Sequence, residues 1–215
     1  MITKYSQSSD AMLPHSSSRM KDSSKVSSVE KIARILTEAF SPIVLTAGFI
    51  IAIGLNEGAF WAGIICAVLA AGIPGVALEV VHRRGSTDRH VRERDRRGPF
   101  IALMMFALVL AGIVAALLAA WRVLAAEAAV FAGVLIVGIV TKVWKISAHA
   151  AMATFVGVAV AITAFPIGLM AVVVPVAVSW SRVRLGYHTP AQVVAGSVLG
   201  VLIGVTYSIV AVSTR

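Results

Sequence analysis

Apolar residues run in long blocks along this chain, and the polar residues between them are gathered into short segments. Positions 39–56 carry no charge, nor do positions 58–78, and Asn56-Glu57-Gly58 between them reads as a tight polar turn. A membrane-spanning helix needs about 20 apolar residues, so the two blocks predict a helical hairpin. Residues 99–121 predict a third span, Arg122 and Glu127 mark the next turn, and 124–141 predict a fourth. The uncharged block 150–181 is too long for one pass. As a single helix it would reach about 48 Å, against a hydrocarbon core of about 30 Å. Pro166 divides it into 147–164 and 166–180, because proline interrupts a helix. The last span is 190–212. The expected fold is an all-α, polytopic transmembrane helical bundle of about seven spans, or six if the fifth and sixth are one.

Ahead of these blocks, residues 1–28 hold ten serines and scattered charges without apolar periodicity. They read as a disordered tail, without the compact apolar core of a cleavable signal. In 29–38, Val29, Ile32, Ala33 and Leu36 share one helical face, which predicts a short interfacial helix leading into the membrane. The chain thus divides into a tail, 1–28, and a helical membrane domain, 29–215.

Composition agrees with this pattern. Of 215 residues, 59% are hydrophobic and 13% charged, with a mean hydropathy of +0.91. Soluble domains carry about 25% charged residues, so a water-soluble enzyme is excluded. The net charge of +9 would suit nucleic acid on a soluble protein, but none is expected as a partner here. With seven spans, 17 of the 19 Lys and Arg residues fall on one side of the membrane and only Arg122 and Arg215 on the other. The positive-inside rule makes the charged side cytoplasmic, in a cell membrane. The lone cysteine, Cys66, lies in an apolar run and reads as a packing residue. Glu79 stands four residues before Arg83, at the spacing of a helical ion pair.

Three polar segments on that charged side carry the candidate chemistry. The first, 82–99, holds seven arginines and three acids; guanidinium groups bind phosphate oxygens in bidentate geometry. The second, Lys145-Ile-Ser-Ala-His149, precedes an apolar block, and a helix N-terminus there favours an anion. The third runs from Ser181-Arg182 to His188 and Gln192, again leading into an apolar block. Each alone reads as an interface loop. Together they supply cations, two histidines and a serine on one face, the parts a phosphoryl-transfer site requires.

The third segment resembles the motif Ser-Arg, five residues, His, three residues, Asp of the type-2 phosphatidic acid phosphatases and the related vanadium haloperoxidases. It reads Ser181-Arg182, five residues, His188, three residues, Gln192. Ile146-Ser147-Ala148-His149 resembles that family's Pro-Ser-Gly-His. Arg89 and Arg96, seven apart, or Arg97 in place of Arg96, resemble its Lys, six residues, Arg-Pro; Pro99 stands three residues after Arg96 rather than next to it. The resemblance covers residues 85–212 and implies a metal-independent lipid phosphatase or diphosphatase without a cofactor. It implies that His188 attacks phosphorus to form a phosphohistidine and that His149 protonates the leaving group. Arg89, Arg96, Arg97, Lys145, Ser147 and Arg182 would hold the phosphate. The substrate would be a lipid phosphate or prenyl diphosphate among membrane lipids.

The main departure is Gln192, where the family has Asp. Its amide oxygen can accept the imidazole N–H but adds no charge to stabilise an imidazolium. Two other expectations therefore stand beside hydrolysis: a transferase or cyclase using a prenyl diphosphate, and a non-catalytic membrane protein that binds anionic lipid.

Overall fold

The computed structural model describes residues 28–83 and 94–213, and among these the fold is helical with no strand. The Ser-rich tail ahead of Ser28 lies outside the described residues, as does Arg89.

Helix α1 (Ser28–Ala39) leads into α2 (Pro42–Asn56) through a bend of 47°. Ser41 caps α2, its Oγ accepting from Val44 N at 3.4 Å. Pro42 takes the first helical position, where a missing N–H is harmless. The expected face of α1 is only partly packed. Ala33 is buried, Leu36 is half-buried, and Val29 and Ile32 are exposed. The register is set instead by Thr37, whose hydroxyl lies 2.8 Å from that of Ser181, both buried.

The Asn56–Gly58 turn forms as expected, with Gly58 at φ 73°. It folds α2 back on α3 (Phe60–Ala67), and a Cβ on Gly54 would stand 2.7 Å from Gly63 Cα. Only glycine permits this approach. A π-helical turn, Val68–Gly72, joins α3 to α4 (Ile73–Arg83) as one rod. The wider turn directly precedes Pro74, which lacks the N–H that an α-helical ladder would use.

Helices α5 (Arg94–Leu117) and α6 (Trp121–Thr141) follow. Here the turn falls earlier than its polar residues suggest. It lies at 118–120, with Ala119 at φ 53°, and both Arg122 and Glu127 are inside α6. A nonlocal cap explains the shift. The Glu57 carboxylate accepts from Arg122 N at 3.2 Å and Val123 N at 3.4 Å, so the first turn of α6 is satisfied from the α2–α3 loop. A carboxylate is electrostatically favourable there.

Helix α7 (Ala148–Thr163) stops short of Pro166. A 3-10 turn, Ile167–Val172, then begins the return into α8 (Val173–Arg184). The break expected at Pro166 is thus present. The last helix, α9 (Pro190–Ser213), begins at Pro190. It packs on α7 through Gly196 and Gly200, where a Cβ would stand 2.4 Å from Ser147 O and 2.3 Å from Ala151 O.

Five of these helical rods are long and apolar enough to cross a membrane, and the bent α1–α2 pair makes a sixth if taken as one span. Helix α7, of 16 residues, is shorter. The outer surface is apolar: Phe106, Leu117, Met170 and Leu202 are all more than 60% exposed, which suits a hydrocarbon solvent and not water. The core is built from Phe49, Ile50, Cys66, Leu108, Val123 and Phe155, with many alanines between them. This is the helix pattern of an integral membrane protein. The α6–α7 and α8–α9 loops meet at one end, joined by hydrogen bonds.

Candidate functional site at the motif-bearing end

Two short segments form the heart of this end, and their backbones are tied together. Ser147 N donates to Gln192 O at 3.2 Å. Lys145 Nζ donates to Tyr187 O at 2.8 Å. The α6–α7 loop is thereby fastened to the α8–α9 loop at two points. Gly196 lets the chains approach this closely, since any side chain there would strike Ser147 O.

Ser147 itself is fully buried. Its hydroxyl caps α7, accepting from Ala150 N at 3.3 Å, and it does not line the cavity described below. Its visible role is to start α7 and so to aim His149, which is half-buried in the first helical turn.

Arg182 lies in the last turn of α8 and is 4% exposed. Its guanidinium carbon sits 4.5 Å from the centroid of the Tyr187 ring, a favourable cation–π distance. Its carbonyl accepts from Tyr187 N at 3.1 Å and His188 N at 3.3 Å. Gly186, at φ 65°, provides the reversal that makes this possible. Arg182 therefore shapes the loop that presents His188.

His188 is half-buried, and its Nδ1 lies 3.2 Å from Gln192 Oε1. The same oxygen accepts from Thr189 N at 3.1 Å. A backbone N–H can only donate, so this amide atom is the oxygen, and Nδ1 must carry the proton it shares with it. The basic nitrogen of His188 is then Nε2. Gln192 thus does the orienting work expected of it, without adding charge.

His149, Arg182 and His188 line one cavity of about 470 Å³. Glu38 and Glu79 line it as well, while the rest of its wall is mainly apolar, including Ile43, Met104, Val130, Met152 and Phe155. Lys145 and Gln192 stand behind the histidines and do not line it. Arg96 and Arg97 lie on the first turn of α5, ahead of the cavity-lining Phe100; their side chains are outside the described residues.

Two features of this end escaped the sequence reading. Glu38 reaches the cavity only because α1 docks on α8, a long-range contact that no local pattern signals. Glu79 forms the expected ion pair, with Arg83 Nε 2.7 Å from its Oε1, but also lines the cavity. Among the described residues, no group of three or more His, Cys, Asp and Glu side chains could hold a metal ion.

The opposite end also holds polar groups. Glu127 is 1% exposed, and neither carboxylate oxygen has a hydrogen-bond partner. Cys66 is buried, with Sγ 3.4 Å from Ala111 O. Comparison with known proteins finds no family model, curated protein or solved structure that matches this chain.

Proposed function

We propose that the protein is an integral-membrane phosphatase or diphosphatase acting on a lipid-linked phosphate through a phosphohistidine. One observation carries this reading: His149, Arg182 and His188, from two separate segments, line a single cavity whose remaining wall is largely apolar. The polar end suits a phosphate and the apolar wall suits a lipid tail. The resemblance of the motifs to type-2 phosphatidic acid phosphatases agrees with it.

In this reading His188 Nε2 attacks phosphorus and the bond from phosphorus to the leaving oxygen breaks. His149, protonated, gives its proton to that oxygen, which departs as a lipid alcohol or as phosphate. A water molecule, deprotonated by His149, then attacks the phosphohistidine and releases inorganic phosphate. Arg182 balances charge on the phosphoryl oxygens, with arginines of 89–97 joining it. The bundle crosses the membrane seven times, counting α7 and the α8 rod as separate passes, with the motif end on the cytoplasmic side.

The experiment is phosphate release from prenyl diphosphates, prenyl phosphates and phosphatidic acid with chelator present. His188→Ala and His149→Ala should each abolish it. Release unchanged by both substitutions would sink the mechanism. Gln192 favours a second reading, non-catalytic binding of anionic lipid, which predicts head-group binding without release. A transferase or cyclase on the same site would consume a prenyl diphosphate and release diphosphate.

A further inference from the structure

The cavity has a length as well as a polar end, and that length is set by α6. Residues Thr141, Val137, Val134, Gly133 and Val130 form one stripe along that helix, and all line the cavity. At 1.5 Å per residue, the stripe runs about 16 Å from the level of the motif loops to Val130. At Val130 it stops. Phe155 and Ile203 line the inner part of the cavity beside this stripe, Ile203 opposite Gly133.

Phe155 is held rigidly there. Its ring meets Phe49 edge to face at 5.0 Å and Tyr207 at 5.9 Å, and Phe49 meets Tyr207 at 5.3 Å. All three are at least 95% buried. Three interlocked rings have no room to swing aside without losing their contacts. About 12 Å along the stripe, near its inner end, Gly133 leaves room for Ile203: a Cβ there would come 3.2 Å from Ile203 Cδ1.

We infer that the cavity takes a single, extended hydrocarbon tail of bounded length, and that the Phe49–Phe155–Tyr207 cluster is its stop. A stripe of about 16 Å accommodates roughly a dozen carbons in line. Extended acyl tails of roughly eighteen carbons, as in phosphatidates, are longer than this stripe. This rests on the proposed function for the head group alone, and it narrows that reading from lipid phosphates in general to those whose tail matches the stripe.

The test uses the full chain in lipid nanodiscs and measures binding of n-alkylphosphonates of eight, twelve and sixteen carbons. The matching alcohols and dioleoyl phosphatidate serve as comparisons. The twelve-carbon phosphonate should bind best. Gly133→Ile should weaken it about tenfold or more while the eight-carbon phosphonate changes less than about twofold, since pocket discrimination by a few methylenes is of this order. Phe155→Ala should move the optimum to sixteen carbons; if that variant does not fold, Gly133→Ile alone decides. An unchanged length profile in the folded variants, or phosphatidate binding as tightly as the twelve-carbon ligand, would overturn the inference. Alcohols that bind as tightly as phosphonates with the same length profile would leave the tail site standing and remove the phosphate reading instead.

Discussion

The two ends of the bundle both carry ionisable groups at or near membrane depth, and they use them in opposite ways. At the motif end, His149, Arg182 and His188 border open volume, with Gln192 holding the His188 ring and the Tyr187 ring facing the Arg182 guanidinium. At the other end, the Glu57 carboxylate is spent on capping α6, and Glu127, buried and without a hydrogen-bond partner, stands beside a separate apolar hollow as its one ionisable group among the described residues. Charge within a membrane protein invites a functional reading. The difference between the ends is convergence: two histidines and an arginine from separate segments border one cavity at the motif end, whereas Glu127 borders its hollow without another ionisable group among the described residues.

The largest effect should come from His188→Ala, with phosphate release falling by about 10³-fold or more. At the opposite end, Glu127→Gln should leave release within about twofold, because that side chain does not border the motif-end cavity. Equal losses in the two variants, measured as kcat/KM on one prenyl phosphate, would erase the distinction between the ends. Next in size is Gly200→Leu. A side chain there would collide with Ala151 O, and overpacking of this kind costs about 3 kcal/mol, seen as a lower unfolding midpoint in detergent.

Gln192→Asp should raise release about tenfold by adding the negative charge that an imidazolium at His188 lacks. A fall instead would mean that the amide is needed as it stands, for instance through its contact with Thr189 N. The smallest effect belongs to Glu57→Ala. Losing the cap of α6 should cost about 1 kcal/mol of stability, with release by the folded protein within about twofold.

Much of the helical layout is legible in the sequence because charge is absent from the helices and concentrated between them. The Asn56–Gly58 turn and the break at Pro166 carry their own local signals. The α5–α6 turn does not. Ala119 is an unusual residue for the left-handed region, and the cap on α6 comes from Glu57, 65 residues away. Polar residues at Arg122 and Glu127 therefore point to the wrong place. The site shows the same division. His149, Arg182, His188 and Gln192 stand out in the sequence only through their resemblance to a family motif. Their convergence, the withdrawal of Ser147 into a cap and the arrival of Glu38 depend on α7–α9 and α1–α8 packing. Glycine spacing hints at the first of these contacts. Nothing local hints at the second.

The Thr37–Ser181 hydrogen bond joins positions 144 residues apart in the chain. Its consequence concerns biogenesis. As the polypeptide is made, α1 emerges ahead of its partner on α8, which comes only after five intervening rods have been synthesised. Ser147 waits likewise for Gln192. Helix α1 and the histidine cluster can be locked only once α8 and the start of α9 have been made. Until then the growing bundle has neither a finished cavity nor a docked α1, and any acceleration of chain release or loss of α9 would strand both together.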